Sequence, residues 1–159
     1  MRRRRAAAAH QQVLWASSAR RPGIDASARG DFTHYHDAMP HLTLEYSGNL
    51  DGFDARSTLV ALNEALAASG HFDELDIKSR ASCFDTFAVG TAHAPRAFAH
   101  AKLAILGGRS ADTKRALSKQ LLSVLAQCCR APSGTHLQLC AEILEIERES
   151  YAKAAVEPR

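Results

Sequence analysis

From 40 to 46 apolar and polar side chains alternate, with Leu42, Leu44 and Tyr46 on one side and His41, Thr43 and Glu45 on the other. A period of two is that of a half-buried strand. The turn formers Ser47, Gly48, Asn49, Asp51 and Gly52 follow. Asp54 is then placed to cap a helix in which Leu59, Leu62 and Leu66 recur at helical spacing, with Gly70 positioned to end it. Residues 77–89, with Phe84, Thr86 and Phe87, are rich in β-formers and predict a second strand or hairpin.

The second half repeats this plan. Residues 98–106 read as a strand, Gly107-Gly108-Arg109 as a turn, and Ser110 as the cap of a second helix with Asp112 in its first turn, where a negative charge suits the helix dipole. Leu117, Leu121, Val124, Leu125 and Cys128 form one apolar face, Ala131-Pro132-Ser133-Gly134 breaks the helix, and Leu137, Leu139 and Ala141 begin an alternating strand over 137–147. The order β-α-β, β-α-β predicts an α+β fold: a four-stranded sheet with both helices on one face, over a domain spanning 39–150. The other sheet face then needs cover, so self-association is expected. Glu142, Glu145, Glu147 and Glu149 read as an exposed acidic edge, and 151–159 as a short mobile tail or an arm to a neighbour.

Composition adds boundaries. The 159 residues are 46% hydrophobic and 23% charged, which suits one globular domain. No apolar run is long enough for a transmembrane helix, so no membrane role is expected. The net charge of +3 is unevenly spread: 1–38 holds seven Arg and three Asp, whereas 39–159 holds 13 basic and 14 acidic residues. The basic excess lies outside the globular part, which argues against nucleic acid as a partner. Cys83, Cys128, Cys129 and Cys140 have neither CxxC spacing nor paired Cys/His clusters, so free thiols in a reducing, cytoplasmic compartment are expected and no metal site is.

Residues 1–38 lack sustained periodicity and read as a flexible extension. His10, Gln11 and Gln12 interrupt the apolar core that a secretory signal needs. The Arg-rich stretch, free of acid before Asp25, leaves an organelle transit segment open, and a translation start at Met39 is the other reading. His34 and His36 are not read as metal ligands.

Pro40 is the candidate of greatest chemical consequence. Removal of Met39 would leave its nitrogen a free secondary amine, whereas an internal proline nitrogen is an amide with no basic lone pair. Ordinary α-amino groups titrate at about 7.7–8.0, and burial or nearby cations lower an amine, making it an effective base near neutral pH. The plain alternative is a proline that merely starts a strand. Lys78 and Arg80 lie two apart on a strand and share a face, and Arg109 sits at a helix N-terminus. These three cations suit a substrate with two or three carboxylates, against the plain alternative of a solvated face. Gly107-Gly108-Arg109-Ser110 is no P-loop, and no GxSxG elbow or histidine triad is present.

The stretch MPHLTLEYSGNL at 39–50, with IKSRA at 77–81, LAILGGRS at 103–110 and LCAEILEIE at 139–147, resembles the 5-carboxymethyl-2-hydroxymuconate isomerases of the tautomerase superfamily. The resemblance covers 39–159 and none of 1–38. It implies a homotrimer of the tautomerase and macrophage migration inhibitory factor type, with sites at subunit interfaces. It also implies cofactor-free ketonisation of a dienol carboxylate in aromatic-acid breakdown. Pro40 would be the proton-shuttling base, and Lys78, Arg80 and Arg109 would bind substrate. Lys78 stands where the family has an arginine; it keeps the charge and loses the bidentate fork. Two other readings stay open: a non-catalytic oligomeric binding module if 1–38 is retained, and a related tautomerase acting on another enol.

Overall fold

A computed structural model describes residues 39–156 of the chain. The expectations for 1–38 and for the last three residues lie outside the described residues. The elements are β1 (His41–Ser47), α1 (Ala55–Ala68), β2 (Lys78–Phe84), β3 (Arg96–Leu106), α2 (Ala111–Cys128) and β4 (His136–Ile146), with single 3-10 turns at Glu74–Asp76 and Arg148–Ser150.

The sheet order is β2-β1-β3-β4. β1 runs parallel to β2 and antiparallel to β3, which runs parallel to β4. Each β-α-β unit therefore contributes one parallel pair, and the first strands of the two units join at the centre. This is the expected two-unit plan. Leu42 and Leu44 of β1 and Ala97, Ala99, Ala101, Leu103 and Ile105 of β3 are buried against Leu62 and Leu66 of α1 and Leu117, Leu121 and Leu125 of α2. Both helices cover one face. Three small alanines at the helix-facing positions of β3 let the helices sit close to the sheet. Gln120 Nε2 donates to the Ala65 carbonyl at 2.8 Å and ties the helices together, while Lys114 pairs with Glu145 at 2.9 Å and ties α2 to β4.

The helix boundaries follow from side-chain capping. Asp54 accepts the Ser57 amide at 3.0 Å and its hydroxyl at 2.6 Å at the start of α1. Ser110 accepts the Thr113 amide at 3.1 Å at the start of α2. Gly108, with φ +110°, makes the turn out of β3 that sets up this cap and places Arg109.

Three expectations need correction. The stretch 77–89 holds the expected second strand but only in part, and no hairpin: β2 ends at Phe84, and 85–95 is an irregular loop. Its β-forming residues pack through side chains instead, the Phe87 ring standing 5.9 Å from that of Phe98. The glutamates of β4 are not a uniform acidic edge, because the pleat sends Glu142 to His100 at 3.2 Å and Glu145 to Lys114 on the helix side. The segment after Ser150 is anchored in its own chain. Tyr151 Oη lies 3.0 Å from His41 Nε2, and Lys153 pairs with Asp76 at 2.6 Å.

Candidate active site

Parallel pairing places the starts of β1 and β2 at one end of the sheet, and the antiparallel β1-β3 pairing brings the ends of β3 and β4 to that same end. Pro40, immediately before β1, is fully buried, and its carbonyl accepts the Lys78 amide at 3.1 Å. Register sets His41 opposite Lys78 and Thr43 opposite Arg80. The period of two sends His41, Lys78 and Arg80 to the sheet face that the helices leave open. Lys78 and Arg80 are both exposed.

The local field is positive. Lys78 Nζ stands 3.6 Å from Met39 Sδ and donates to the Asp76 carbonyl at 3.4 Å. The imidazole of His41 is held below its ordinary pKa of 6.5 by burial first, then by Arg80 and Lys78. An anion placed there would be attracted by both cations and would meet His41 and Tyr151, whose rings meet edge to face with centroids 5.9 Å apart.

Arg109 is held differently. Its guanidinium stacks over Phe72 at 4.9 Å and donates to the carbonyls of Leu106 at 3.4 Å and His71 at 3.3 Å. Burial, and then the neighbouring Arg148, lower its pKa. The structure thus groups Lys78 and Arg80 beside Pro40 and His41. Arg109 occupies the same end of the sheet, but its hydrogen bonds and ring contact go to Leu106, His71 and Phe72.

The sequence reading passed over His41 and Tyr151. His41 could have been singled out by its place directly after Pro40, on the face shared with Lys78 and Arg80. Tyr151 carried no local signal, because its partner lies 110 residues away. Among the described residues, no cluster of His, Cys, Asp and Glu could hold a metal ion, and no helix is long and apolar enough to cross a membrane.

Comparisons agree with this architecture. The family model of 5-carboxymethyl-2-hydroxymuconate isomerase matches residues 40–159, beginning at Pro40. A comparison with curated proteins gives no match. Among solved structures, a 5-carboxymethyl-2-hydroxymuconate isomerase from Deinococcus radiodurans R1 is 32% identical with a TM-score of 0.67, over 76% of this chain and 92% of that one. A 5-carboxymethyl-2-hydroxymuconate delta-isomerase is 21% identical with a TM-score of 0.56, over 76% and 90% of the two chains. A fused 4-OT wild-type symmetric trimer shares the fold at 16% identity and a TM-score of 0.55, over 72% and 91%. From the family match and the 32% identical relative, the chain belongs to the 5-carboxymethyl-2-hydroxymuconate isomerase family, and it is an isomerase.

Proposed function

We propose that the chain isomerises 5-carboxymethyl-2-hydroxymuconate, or a closely similar dienol carboxylate of aromatic-acid breakdown, with the Pro40 nitrogen as the proton carrier. The observation that carries this reading is the positive field at the start of β1. Arg80 and Lys78 both act on His41, the residue after Pro40, and the Lys78 ammonium stands beside Met39, whose removal would free the proline nitrogen. The family match beginning at Pro40 supports the same starting point.

In this reading the secondary amine takes the proton from the enol hydroxyl, and the electrons of the O–H bond become an enolate. The protonated amine then delivers the proton to a carbon of the conjugated chain, leaving a ketone of unchanged composition and a free amine. No metal or cofactor enters the sequence. Lys78 and Arg80 bind carboxylate and hold the negative charge that grows on oxygen in the transition state. The same cations disfavour protonation of the resting amine, so one set of charges serves binding and catalysis. Arg109 binds a further carboxylate, its guanidinium partly desolvated and close to a second arginine.

Self-association as a homotrimer completes the proposal. The open sheet face carries Phe84 at 38% and Leu144 at 42% exposure, and Leu75 is 90% exposed at the Pro40 end. These are apolar surfaces that copies of the chain would cover. The fold shared with a 4-OT trimer supports that arrangement. Four free cysteines fit a reducing cytoplasm. Residues 1–38, outside the family match, are proposed to be dispensable for the reaction.

The test is a spectrophotometric assay of dienol disappearance with the chain beginning at Pro40. We expect turnover, a loss of about 10²–10⁴ in rate for Pro40→Ala, as for removal of a general base, and a raised KM for Arg109→Ala. Full activity in Pro40→Ala would remove the proline from the mechanism. No turnover of this substrate, with turnover of another enol such as phenylpyruvate, would reassign the substrate.

A further inference from the structure

The second β-α-β unit repeats the hydrogen bonding that frames Pro40. The Pro95 carbonyl accepts the His136 amide at 3.0 Å, as the Pro40 carbonyl accepts that of Lys78 at 3.1 Å. Arg96 pairs with His136 as His41 pairs with Lys78. Two residues further along their strands, Gln138 corresponds to Arg80. A counterpart of the candidate site therefore exists at the opposite end of the sheet, with Pro95, Arg96, His136 and Gln138 in place of Pro40, His41, Lys78 and Arg80. Pro95 is internal, so its nitrogen is an amide and cannot carry a proton. Catalysis of the proposed kind is excluded there by covalent structure, and binding is not.

The counterpart opens onto two clefts that share Ala94, Pro95 and Arg96. One, of about 570 Å³, is lined by Asn49, Phe87 and His93 among others, and the second, of about 480 Å³, by Gly134, His136 and Gln138. No carboxylate lines either cleft among the described residues. Arg96 is half-buried, makes no ion pair among the described residues, and is held by the loop it crosses. Its Nη1 donates to the Val89 carbonyl at 2.6 Å, and Gly90, at φ +70°, lies so close that a Cβ there would collide with Nη1. Asn49 Nδ2 fixes the Arg96 carbonyl at 2.9 Å. A positioned guanidinium with no acidic partner among the described residues borders both clefts, with Asn49 and His93 lining one and His136 and Gln138 the other, and suits an oxyanion. Phe87 offers an apolar wall to the rest of such a ligand.

We propose that the two adjoining clefts that meet at Arg96 form a second, non-catalytic binding site for a small organic carboxylate. It is independent of the proton chemistry at Pro40. The experiment uses succinate as the probe and the full chain carrying Arg80→Gln, which weakens anion binding at the Pro40 end. Succinate should move the ring signals of His93 and His136 in NMR spectra. Arg96→Met should weaken succinate binding about tenfold or more, the effect of removing a charge-assisted hydrogen bond, and in the chain beginning at Pro40 with native Arg80 should leave isomerase activity within about twofold. His136→Gln alters an exposed side chain and keeps the test open if Arg96→Met fails to fold; it too should weaken binding. Unmoved His93 and His136 signals, or parent-like binding in His136→Gln, would overturn the proposal. A response to inorganic phosphate with none to succinate would overturn the carboxylate class.

Discussion

Replacing Ser47 by Ala removes one hydroxyl, and the structure gives its effect a size. Ser47 is fully buried at the end of β1, one residue past the last backbone pair of the β1-β3 ladder, Tyr46 with Ala99. Its hydroxyl continues the ladder, accepting the Phe98 amide at 3.0 Å and donating to the Phe98 carbonyl at 3.4 Å. These bonds clamp the two strands through which the β-α-β units are joined. Without the hydroxyl, the Phe98 amide loses its partner in a place where water does not readily enter. Leaving a buried donor unpaired costs about 1–3 kcal/mol, well above the effect of shortening a side chain by a single oxygen at the surface. For a domain of this size that corresponds to a fall in melting temperature of roughly 4–15 °C. The assay is thermal unfolding followed by circular dichroism, at one protein concentration because self-association raises apparent stability. Ser123→Ala, on an exposed position of α2, is the control and should shift the midpoint little. Superimposable melting curves for Ser47→Ala and the parent would refute the assignment of Ser47 as a strand clamp.

Other outcomes follow from the same structure. Because the folded-state pKa of His41 lies below 6.5, the folded chain binds fewer protons than the unfolded one just below that pH. The His41 contribution is therefore full above pH 6.5 and is lost as pH falls through the folded value. Arg80→Gln should raise the His41 pKa measured by NMR without restoring it fully, since burial is the larger cause; an unchanged titration would place Arg80 away from the site. Leu121→Ala, at a fully buried position of α2, should lower stability by about 2–5 kcal/mol in urea unfolding; a loss under 1 kcal/mol would mean that the helix layer is loosely packed. Burial pushes the Cys129 thiol up to about 11, so it should be the last cysteine to react with a thiol reagent at pH 8 and should react promptly once the chain is unfolded. Fast labelling of Cys129 in the folded chain would contradict its burial.

The parts of the fold legible in the sequence are those where side-chain period and burial coincide. Leu42 and Leu44 announced β1, and Leu117, Leu121 and Leu125 announced α2, because each set faces a single apolar layer. Loop 85–95 misled because Thr86, Phe87 and Val89 favour strands intrinsically, while the register beyond Phe84 offers them no partner strand. Ser47 looked like a turn residue and is a buried strand end, since nothing local marks a serine whose partner lies 51 residues away. The same holds at the site. Lys78 and Arg80 were legible as a pair from their spacing alone. The stacking of Arg109 on Phe72 and the approach of Tyr151 to His41 depend on residues far apart in sequence meeting across the fold, which no window of sequence contains.

The proposed proton transfer requires a free secondary amine at Pro40. The most direct measurement compares the rate of dienol ketonisation for two chains that differ by one residue: one beginning at Pro40, the other retaining an uncleaved Met39, with both N-termini verified by intact mass. The account predicts turnover by the first and a rate lower by about 10²–10⁴ in the second, whose proline nitrogen is an amide. Equal rates would contradict it, because an amide nitrogen cannot carry the proton.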